Sequence, residues 1–285
     1  MILHKFMIEE HIKNALKEDI GFGDITTDIL ADEDAQIKAF MNTRQNGILC
    51  GIDIAELVFK MLQPDVKVKK MFKDGSFIKK GDTLAEIEGS ARAVLTGERT
   101  ALNYVQRLSG IASETYKYQQ AIGNNKAFIT DTRKTSPGFR LFEKYAVSAG
   151  GAKLHRFNLS DCVMIKDNHI ALSGSITAAV NKIRQSLSHT HKIEVECDSI
   201  EQVKEALSVN ADIIMLDNMP CTLMRECVKL IGGRAIVEAS GNVTLETVKD
   251  IAETGVDVIS SSAPAAKAQP LDIGLDIPAH FSAVQ

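Results

Sequence analysis

The sequence predicts an α/β protein whose larger part is a parallel barrel with a functional site at the carboxyl ends of its strands. From about residue 126, short apolar strand candidates alternate with helical segments, which is typical of a parallel sheet. Nearly every strand candidate ends in a polar residue. An open sheet collects its functional residues at one switch point, whereas a barrel collects them from many strand ends, so this pattern favours a barrel.

The strands and helices of this region are short. The strand candidates span residues 127–131, 162–166, 192–196, 212–217, 234–239 and 256–260. Helical segments are expected at residues 174–187, 199–208, 220–231 and 244–253, and several begin with a residue type that caps helices. The polar strand ends are Asp131-Thr132-Arg133-Lys134, Lys166-Asp167, Glu196, Asp217-Asn218, Ser240-Gly241-Asn242 and Ser260-Ser261-Ser262.

Residues 1 to about 110 have a different pattern and are predicted to form a separate unit. Short strands are expected at residues 38–43, 47–50, 66–72, 76–78 and 83–87, separated by turn signals such as DG and KKGD. Helices are expected at residues 8–19, 52–62 and 98–122. We interpret this unit as a small β-sandwich that serves as a scaffold.

The composition excludes several classes of protein. The chain has 285 residues, 45% hydrophobic and 25% charged, which is typical of a soluble globular protein with a substantial core. No run approaches the ~20 apolar residues that a membrane helix needs, and the N-terminus does not resemble a signal peptide. The five cysteines include no CxxC pair, which fits reduced thiols better than disulfides or a zinc site. We therefore expect a cytoplasmic protein with no membrane partner.

Residues 131–170 are locally positive. They hold seven Lys/Arg and four Asp/Glu, a net charge of +3, although the whole chain has a net charge of −4. The charges stand at the ends of apolar runs, since Arg133 and Lys134 follow one run and Lys166 follows another. A positive segment on an acidic protein indicates a focused anion site and not a nucleic-acid surface.

Three blocks of this segment, DTRKTSPGFRLFEKYAV, the HR pair and IKDNHI, resemble the quinolinate phosphoribosyltransferase family (nicotinate-nucleotide pyrophosphorylase, carboxylating). The resemblance extends from GDITTD near the N-terminus to LDIGLDI near the C-terminus. It implies an open parallel α/β barrel over residues 111–269, preceded by a smaller α/β sandwich domain over residues 1–110. The tail, residues 270–285, would return to the first domain.

The resemblance also implies an activity, the transfer of phosphoribose from phosphoribosyl pyrophosphate to quinolinate with loss of CO2. The residues implied in substrate binding are Arg99, Thr132, Arg133, Lys134, His155, Arg156 and Lys166. Arginine forks suit the planar carboxylates of quinolinate, and lysine ammonium groups suit single carboxylate or pyrophosphate oxygens. The catalytic residues implied are Lys134, Lys166, Glu196 and Asp217. Glu196 and Asp217 would also hold Mg²⁺, because this ion prefers carboxylates and substrate phosphates.

The turns expected to bind the 5′-phosphate depart from the family pattern. The residues implied in phosphate binding are Ser240, Gly241, Asn242, Ser261, Ser262 and Ala263. The family has Ser-Gly-Gly at the first turn, where this chain has Ser240-Gly241-Asn242, and a glycine-containing second turn, where this chain has serines. Asparagine tolerates the positive φ that a phosphate-binding turn uses, so a retained but altered pocket is expected.

The resemblance further implies a homodimer in which Arg99 enters the barrel of the partner subunit. Two alternatives to the main functional prediction stay open from the sequence. One is a phosphoribosyltransferase of the molybdenum-operon type with another substrate. The other is a mononucleotide-binding sensor without activity, although Glu196 and Asp217 speak against it, because a sensor needs no metal site.

Overall fold

The computed structural model describes residues 1–278, so the last part of the predicted tail, residues 279–285, lies outside the described residues. The chain divides into two compact units. Unit 1 comprises Met1–Glu114, Leu141–Gly151 and the described residues from Ala268 onward, and unit 2 comprises Thr115–Arg140 and Ala152–Lys267. Leu141–Gly151, which the sequence placed in the barrel, thus belongs to unit 1.

Both units combine helices with strands. In chain order, the helices are α1 (Lys5–Ile20), α2 (Ile25–Leu30), α3 (Ile52–Leu62), α4 (Ala91–Ile122), α5 (Arg140–Ala149), α6 (Asp167–Ser173), α7 (Ile176–Arg184), α8 (Ile200–Ser208), α9 (Cys221–Ile231), α10 (Val248–Ala252) and α11 (Ala263–Ala266). The strands are β1 (Gln36–Thr43), β2 (Gly47–Ile48), β3 (Lys67–Lys70), β4 (Phe77–Ile78), β5 (Thr83–Ser90), β6 (Phe128–Thr130), β7 (Val163–Ile165), β8 (Ile193–Cys197), β9 (Ile213–Asp217), β10 (Ile236–Ser240), β11 (Val258–Ser260) and β12 (Ile273–Asp276).

Unit 2 is built on a parallel sheet of β6 to β11 in the order β6-β11-β10-β9-β8-β7. Because β6 lies beside the last strand, the sheet curls into a barrel, and it stays open because no ladder joins β6 to β7 within residues 1–278. At this opening, Thr130 makes an isolated parallel bridge with Lys153. The predicted open parallel α/β barrel is confirmed.

The two faces of the barrel strands differ in chemistry. Along β8, Ile193, Val195 and Cys197 are buried on one face, and Glu194 and Glu196 occupy the other, because side chains alternate along a strand. In a barrel surrounded by helices, the apolar face packs outward against the helices and the other face points to the interior. The interior of this barrel therefore holds carboxylates.

Unit 1 contains the N-terminal sandwich domain. Its antiparallel sheet has the order β12-β1-β5-β3, and β2 pairs with β4 separately. The helix α3 buries Ala55, Val58 and Phe59, whose i, i+3, i+4 spacing fits an amphipathic helix that packs on a core. The tail strand β12 pairs with β1, with Met41 opposite Leu275. None of the helices in residues 1–278 combines the length and the apolar character that crossing a bilayer requires.

Several helical elements differ from the prediction: α2, α5, α6 and α11 were not expected, and α4 begins at Ala91 and not at residue 98. The helix α5 was not expected, because its apolar residues Phe142, Ala146 and Val147 stand among charged residues of a functional block. The helix α10 starts at Val248 and not at residue 244, because the side chains of Thr244 and Thr247 bond to the local backbone and compete with helix formation.

Candidate active site

A cavity of about 610 Å³ opens at the carboxyl ends of the strands of unit 2. The residues that line it come from the strand ends and the loops that follow them. They are Thr132, Arg133, Lys134, His155, Arg156, Met164, Lys166, Glu196, Met215, Asp217, Asn218, Ser240, Gly241, Asn242 and Ser260. The cavity therefore combines arginines and lysines with two carboxylates, which is suited to an anionic ligand that also binds a cation.

The loop after β6 supplies Arg133 and Lys134 and is braced from outside the cavity. Arg140 donates from Nε to Thr135 Oγ1 (3.0 Å) and from a terminal nitrogen to Phe157 O (3.1 Å). It thereby ties this loop to the loop that carries His155 and Arg156. Burial and the charges of Arg156 and Arg140 lower the pKa of Arg133. Its Nε is buried and has no hydrogen-bond partner among the described residues. Buried donors are normally hydrogen-bonded, so this one is available to an anionic ligand.

Arg156 is held at both its backbone and its side chain. A terminal guanidinium nitrogen donates to the carbonyl of Cys162 (2.8 Å). The backbone N–H of Arg156 donates to Nδ1 of His155 (2.8 Å), and the backbone N–H of His155 donates to Asp131 Oδ1 (2.8 Å). The guanidinium therefore has a fixed place in the cavity and keeps donors for a ligand, because arginine has five N–H groups.

The facing ends of β7 and β8 bring opposite charges together. The ammonium of Lys166 contacts Oε2 of Glu196 directly, and the carboxylate of Glu196 is largely buried. The backbone N–H of Lys166 donates to Nδ1 of His169 at the start of α6 (3.0 Å). Lys166 is thus placed both by its own backbone and by a carboxylate of the next strand.

Asp217 ends β9, and its carboxylate is oriented by its neighbour in the chain. Asn218 donates from Nδ2 to Asp217 Oδ2 (2.7 Å), and its Oδ1 accepts from Nδ2 of Asn242 (3.0 Å). Asn218 and Asn242 both have positive φ, 54° and 50°. The turn that follows β10 needs glycine at position 241. The φ of Gly241 is 92°, and a Cβ added there would lie 2.1 Å from Asn218 Oδ1.

The remaining predicted site residues have other surroundings. Ser261 is buried, and its hydroxyl donates to Val243 O (3.4 Å) and accepts from the N–H of Ala263 (3.2 Å). Ser261, Ser262 and Ala263 are not among the described residues that line the cavity, whereas Ser260 is. Arg99 is an exposed residue of α4 in unit 1 and is also not among them. Their roles in binding stay predictions.

Comparison with known proteins identifies the family. A model of the quinolinate phosphoribosyl transferase C-terminal domain matches residues 111–276, and a model of the N-terminal domain of the same family matches residues 24–109. The chain belongs to the quinolinate phosphoribosyl transferase family. A probable nicotinate-nucleotide pyrophosphorylase (carboxylating) from Synechocystis sp. is 43% identical over 274 residues, which are 95% of this chain and 92% of the relative.

Solved structures of proteins named NadC or nicotinate-nucleotide pyrophosphorylase match the fold over nearly the whole chain. The crystal structure of NadC from Streptococcus pyogenes is 40% identical, has a TM-score of 0.94, and covers 98% of this chain and 99% of its own. The nicotinate-nucleotide pyrophosphorylase from Ehrlichia chaffeensis is 43% identical with a TM-score of 0.92, covering 98% of this chain and all of its own. As a quinolinate phosphoribosyl transferase family member, the chain carries its candidate active site in the C-terminal domain.

Sequence reasoning missed two polar residues beside this quinolinate phosphoribosyl transferase family site, Glu194 and Glu238, and it named Asn218 as a strand-end residue without giving it a role. Glu194 stands two residues before Glu196, and Glu238 stands two residues before Ser240. The two-residue period of a strand places each on the same face as the residue that lines the cavity. That spacing was a usable signal, but both glutamates lie within runs that read as apolar strands.

Proposed function

We propose that this protein transfers the phosphoribosyl group of phosphoribosyl pyrophosphate to quinolinate with decarboxylation, giving nicotinate mononucleotide, pyrophosphate and CO2. This reaction is a step of de novo NAD biosynthesis. The observation that carries the proposal is the cavity of unit 2, in which Arg133, Lys134, Arg156 and Lys166 converge with two carboxylates. The names of the relatives support it, because two of them, from Synechocystis sp. and Bacillus subtilis, are probable nicotinate-nucleotide pyrophosphorylases (carboxylating). They do not favour a molybdenum-operon type of substrate.

Quinolinate carries two adjacent carboxylates on a pyridine ring. Arg133 and Arg156 are proposed to bind them, because planar guanidinium groups match planar carboxylates. The buried Nε of Arg133, which has no hydrogen-bond partner among the described residues, supports this assignment. Lys134 and Thr132 stand on the same loop and would complete the contacts, and His155 would act beside Arg156.

Glu196 and Asp217 fit a magnesium ion in the company of a polyphosphate. They lie at the carboxyl ends of the adjacent strands β8 and β9, both line the cavity, and both offer the hard oxygen atoms that Mg²⁺ prefers. Magnesium, when bound, would neutralise charge on the pyrophosphate oxygens. We also propose that Ser240, Gly241 and Asn242 bind the 5′-phosphate, supported by their place on the cavity wall. Ser261, Ser262 and Ala263 are proposed to form the second turn of this phosphate site, in which the N–H of Ala263 donates to the hydroxyl of Ser261.

The reaction requires positioning more than covalent work by the protein. The pyridine nitrogen forms a bond to C1 of the ribose as the bond from C1 to pyrophosphate breaks. The ring nitrogen becomes positive, the bond from C2 to its carboxylate then breaks, and the electron pair left on C2 is stabilised by that charge and takes up a proton. Lys134 or Lys166 is proposed to hold the leaving carboxylate beside the cationic ring, where a positive group in a closed site has its largest effect.

We further propose that the protein acts in the cytoplasm as a homodimer, with Arg99 of one chain contributing to the partner's site. The five free cysteines support a reducing compartment. Exposed apolar side chains in α1, α2 and the turn between them support an interface, since such surfaces are rarely left in water. They are Phe6, Phe22, Ile25, Ile29 and Leu30. Arg99 is exposed as well and is free to reach a second chain.

The test is to incubate the protein with Mg²⁺, phosphoribosyl pyrophosphate and quinolinate labelled at the 2-carboxylate. Labelled CO2 and pyrophosphate are expected to appear one to one with nicotinate mononucleotide. A control with nicotinate in place of quinolinate should give neither product. Pyrophosphate release without CO2, or no release of either, would overturn the proposed activity.

A further inference from the structure

Two acidic residues lie inside the barrel of unit 2 and are not among the residues proposed to bind quinolinate, magnesium or phosphate. Glu194 on β8 and Glu238 on β10 have side chains that are 1% and 4% exposed. The interior of a parallel barrel is ordinarily filled by branched apolar side chains. A buried carboxylate lowers stability unless it has a partner, so the presence of two of them requires an explanation.

The partner that the two glutamates share is His155. Its Nε2 lies 3.5 Å from Glu194 Oε2 and 3.4 Å from Glu238 Oε1. The two carboxylates approach the ring from strands separated by β9, so His155 sits between them. Glu194 Oε1 and Glu238 Oε1 are buried, and neither has a hydrogen-bond partner among the described residues, so Glu238 acts on the ring through the charge of its carboxylate.

The second ring nitrogen of His155, Nδ1, decides whether Nε2 can bind a metal ion or carries a proton that faces the two carboxylates. The three ligand atoms lie within 4.8 Å of one another, close enough to hold a metal ion. A histidine that binds a metal through Nε2 carries its proton on Nδ1 and donates it to an acceptor. Here Nδ1 faces the backbone N–H of Arg156, which is itself a donor (2.8 Å). The proton therefore belongs on Nε2, pointing at the two carboxylates, and Nε2 has no lone pair for a metal.

The two carboxylates favour a proton on the ring: although burial opposes protonation, Glu194 and Glu238 raise the pKa of His155. The N–H of Arg156 that faces Nδ1 (2.8 Å) opposes a second proton there, so the proton that the carboxylates stabilise is the one on Nε2. Burial and the charge of Glu238 raise the pKa of Glu194 in turn, against the opposing effect of His155. Asp131 and Arg156 also lie beside His155, the first bonded to its backbone N–H.

We propose that Glu194 and Glu238 are positioning residues for quinolinate: they hold the His155 ring inside the barrel, and the ring holds the backbone of Arg156. The inference rests on the proposed function, in which Arg156 binds a carboxylate of quinolinate. Both ring nitrogens of His155 face protein groups, so His155 acts on the substrate through the place it gives Arg156. Binding of phosphoribosyl pyrophosphate, which uses other residues, should not depend on Glu194 and Glu238.

The experiment compares Glu238→Ala, Glu238→Gln, Glu194→Ala and Glu194→Gln with the exposed surface control Glu201→Gln on α8. Each alanine variant is expected to raise KM for quinolinate about tenfold, as when a residue that orients a direct ligand is lost. KM for phosphoribosyl pyrophosphate should stay within about twofold of wild type, because its contacts are unchanged. Glutamine should restore part of the loss, since it keeps an oxygen that faces Nε2–H but lacks the negative charge.

A second measurement does not depend on turnover. The chemical shifts of the two ring nitrogens of His155, measured in the folded protein labelled with ¹⁵N-histidine, should report a proton on Nε2 in wild type and a changed pattern in Glu238→Ala. Wild-type protein that lacks activity but shows this pattern would overturn the proposed function and leave the positioning of His155 by the two glutamates standing. Three results would overturn the inference: an unchanged KM for quinolinate, an equal rise for both substrates, or a stoichiometric metal that Glu238→Gln removes.

Discussion

Asn218 and Asn242 are hydrogen-bonded to each other at the rim of the cavity, with Oδ1 of the first accepting from Nδ2 of the second (3.0 Å). Through its own Nδ2, Asn218 also holds Asp217 (2.7 Å). The family pattern has a glycine where this chain has Asn242, and the structure gives the asparagine a use there. The side-chain amide of Asn218 therefore links Asp217, a proposed magnesium ligand, to Asn242 in the turn proposed to bind the 5′-phosphate.

The first prediction concerns this link. Asn218→Ala and Asn242→Gly should each raise KM for phosphoribosyl pyrophosphate by about two- to tenfold, the range of one net hydrogen bond. The double variant should lose little more than Asn218→Ala alone, because both changes break the same bond. KM for quinolinate serves as the internal control and should not move. Additive losses in the double variant would show that the two residues act independently.

The second prediction concerns Lys166. Lys166→Ala should lower kcat/KM by an amount equivalent to ~2–4 kcal/mol, because a closed site would lose a charged contact and Glu196 would lose its counter-charge. Lys166→Arg should recover only part of the loss, since a planar fork does not reproduce an ammonium group. The exposed Lys182 of α7 gives a matched control as Lys182→Ala. Wild-type turnover in Lys166→Ala would remove this residue from the site.

The third prediction tests the shared site of the proposed dimer. Arg99→Ala and Lys166→Ala should each be nearly inactive as pure proteins. When the two are unfolded together and refolded, roughly half the dimers should be mixed, and each mixed dimer should hold one intact site, so about a quarter of wild-type activity should return. A mixture that remains inactive, after subunit exchange has been demonstrated with tagged chains, would mean that each site is built within one chain.

The fourth prediction concerns stability and pH through Asp24, the cap of α2. Its carboxylate accepts from Thr27 Oγ1 (2.6 Å), Thr27 N (3.0 Å) and Thr96 Oγ1 (3.1 Å). Hydrogen bonds from the Thr27 side chain and backbone hold the pKa of Asp24 below its usual value of 3.8. The charged form therefore stabilises the fold above pH 3.8, and this contribution disappears as the pH falls through the lowered pKa.

Asp24→Ala should accordingly lower the free energy of unfolding in urea by ~0.5–2 kcal/mol near neutral pH, the usual cost of losing a helix cap. The difference from wild type should shrink in acid. Asp24→Asn keeps a capping oxygen but does not titrate, so its free energy of unfolding should lack this acid-dependent component. An Asp24→Ala deficit that is the same at neutral and at acid pH would show that the charge of Asp24 has no part in capping.

The barrel and the strand-end residues of the site could be predicted from the sequence because both depend on local signals. Short apolar strands followed by Arg133, Lys166, Glu196 or Asp217 specify a parallel sheet and where its polar residues lie. The pairing of Glu194 and Glu238 with His155 depends on three segments meeting in space, and no local pattern encodes that meeting. The same holds for Asn218, whose role depends on the distance to Asn242.

The antiparallel pairing of β1 with β12 has a consequence for how the chain is made. Phe40 and Asp276 are partners in this ladder, although most of the chain lies between them. A ribosome adding ~5–20 residues per second leaves one edge of β1 without its partner for tens of seconds. Uncovered strand edges are where nascent chains pair wrongly. The first unit to be synthesised is thus the last to be completed, and truncation before Ile273 would leave that edge permanently open.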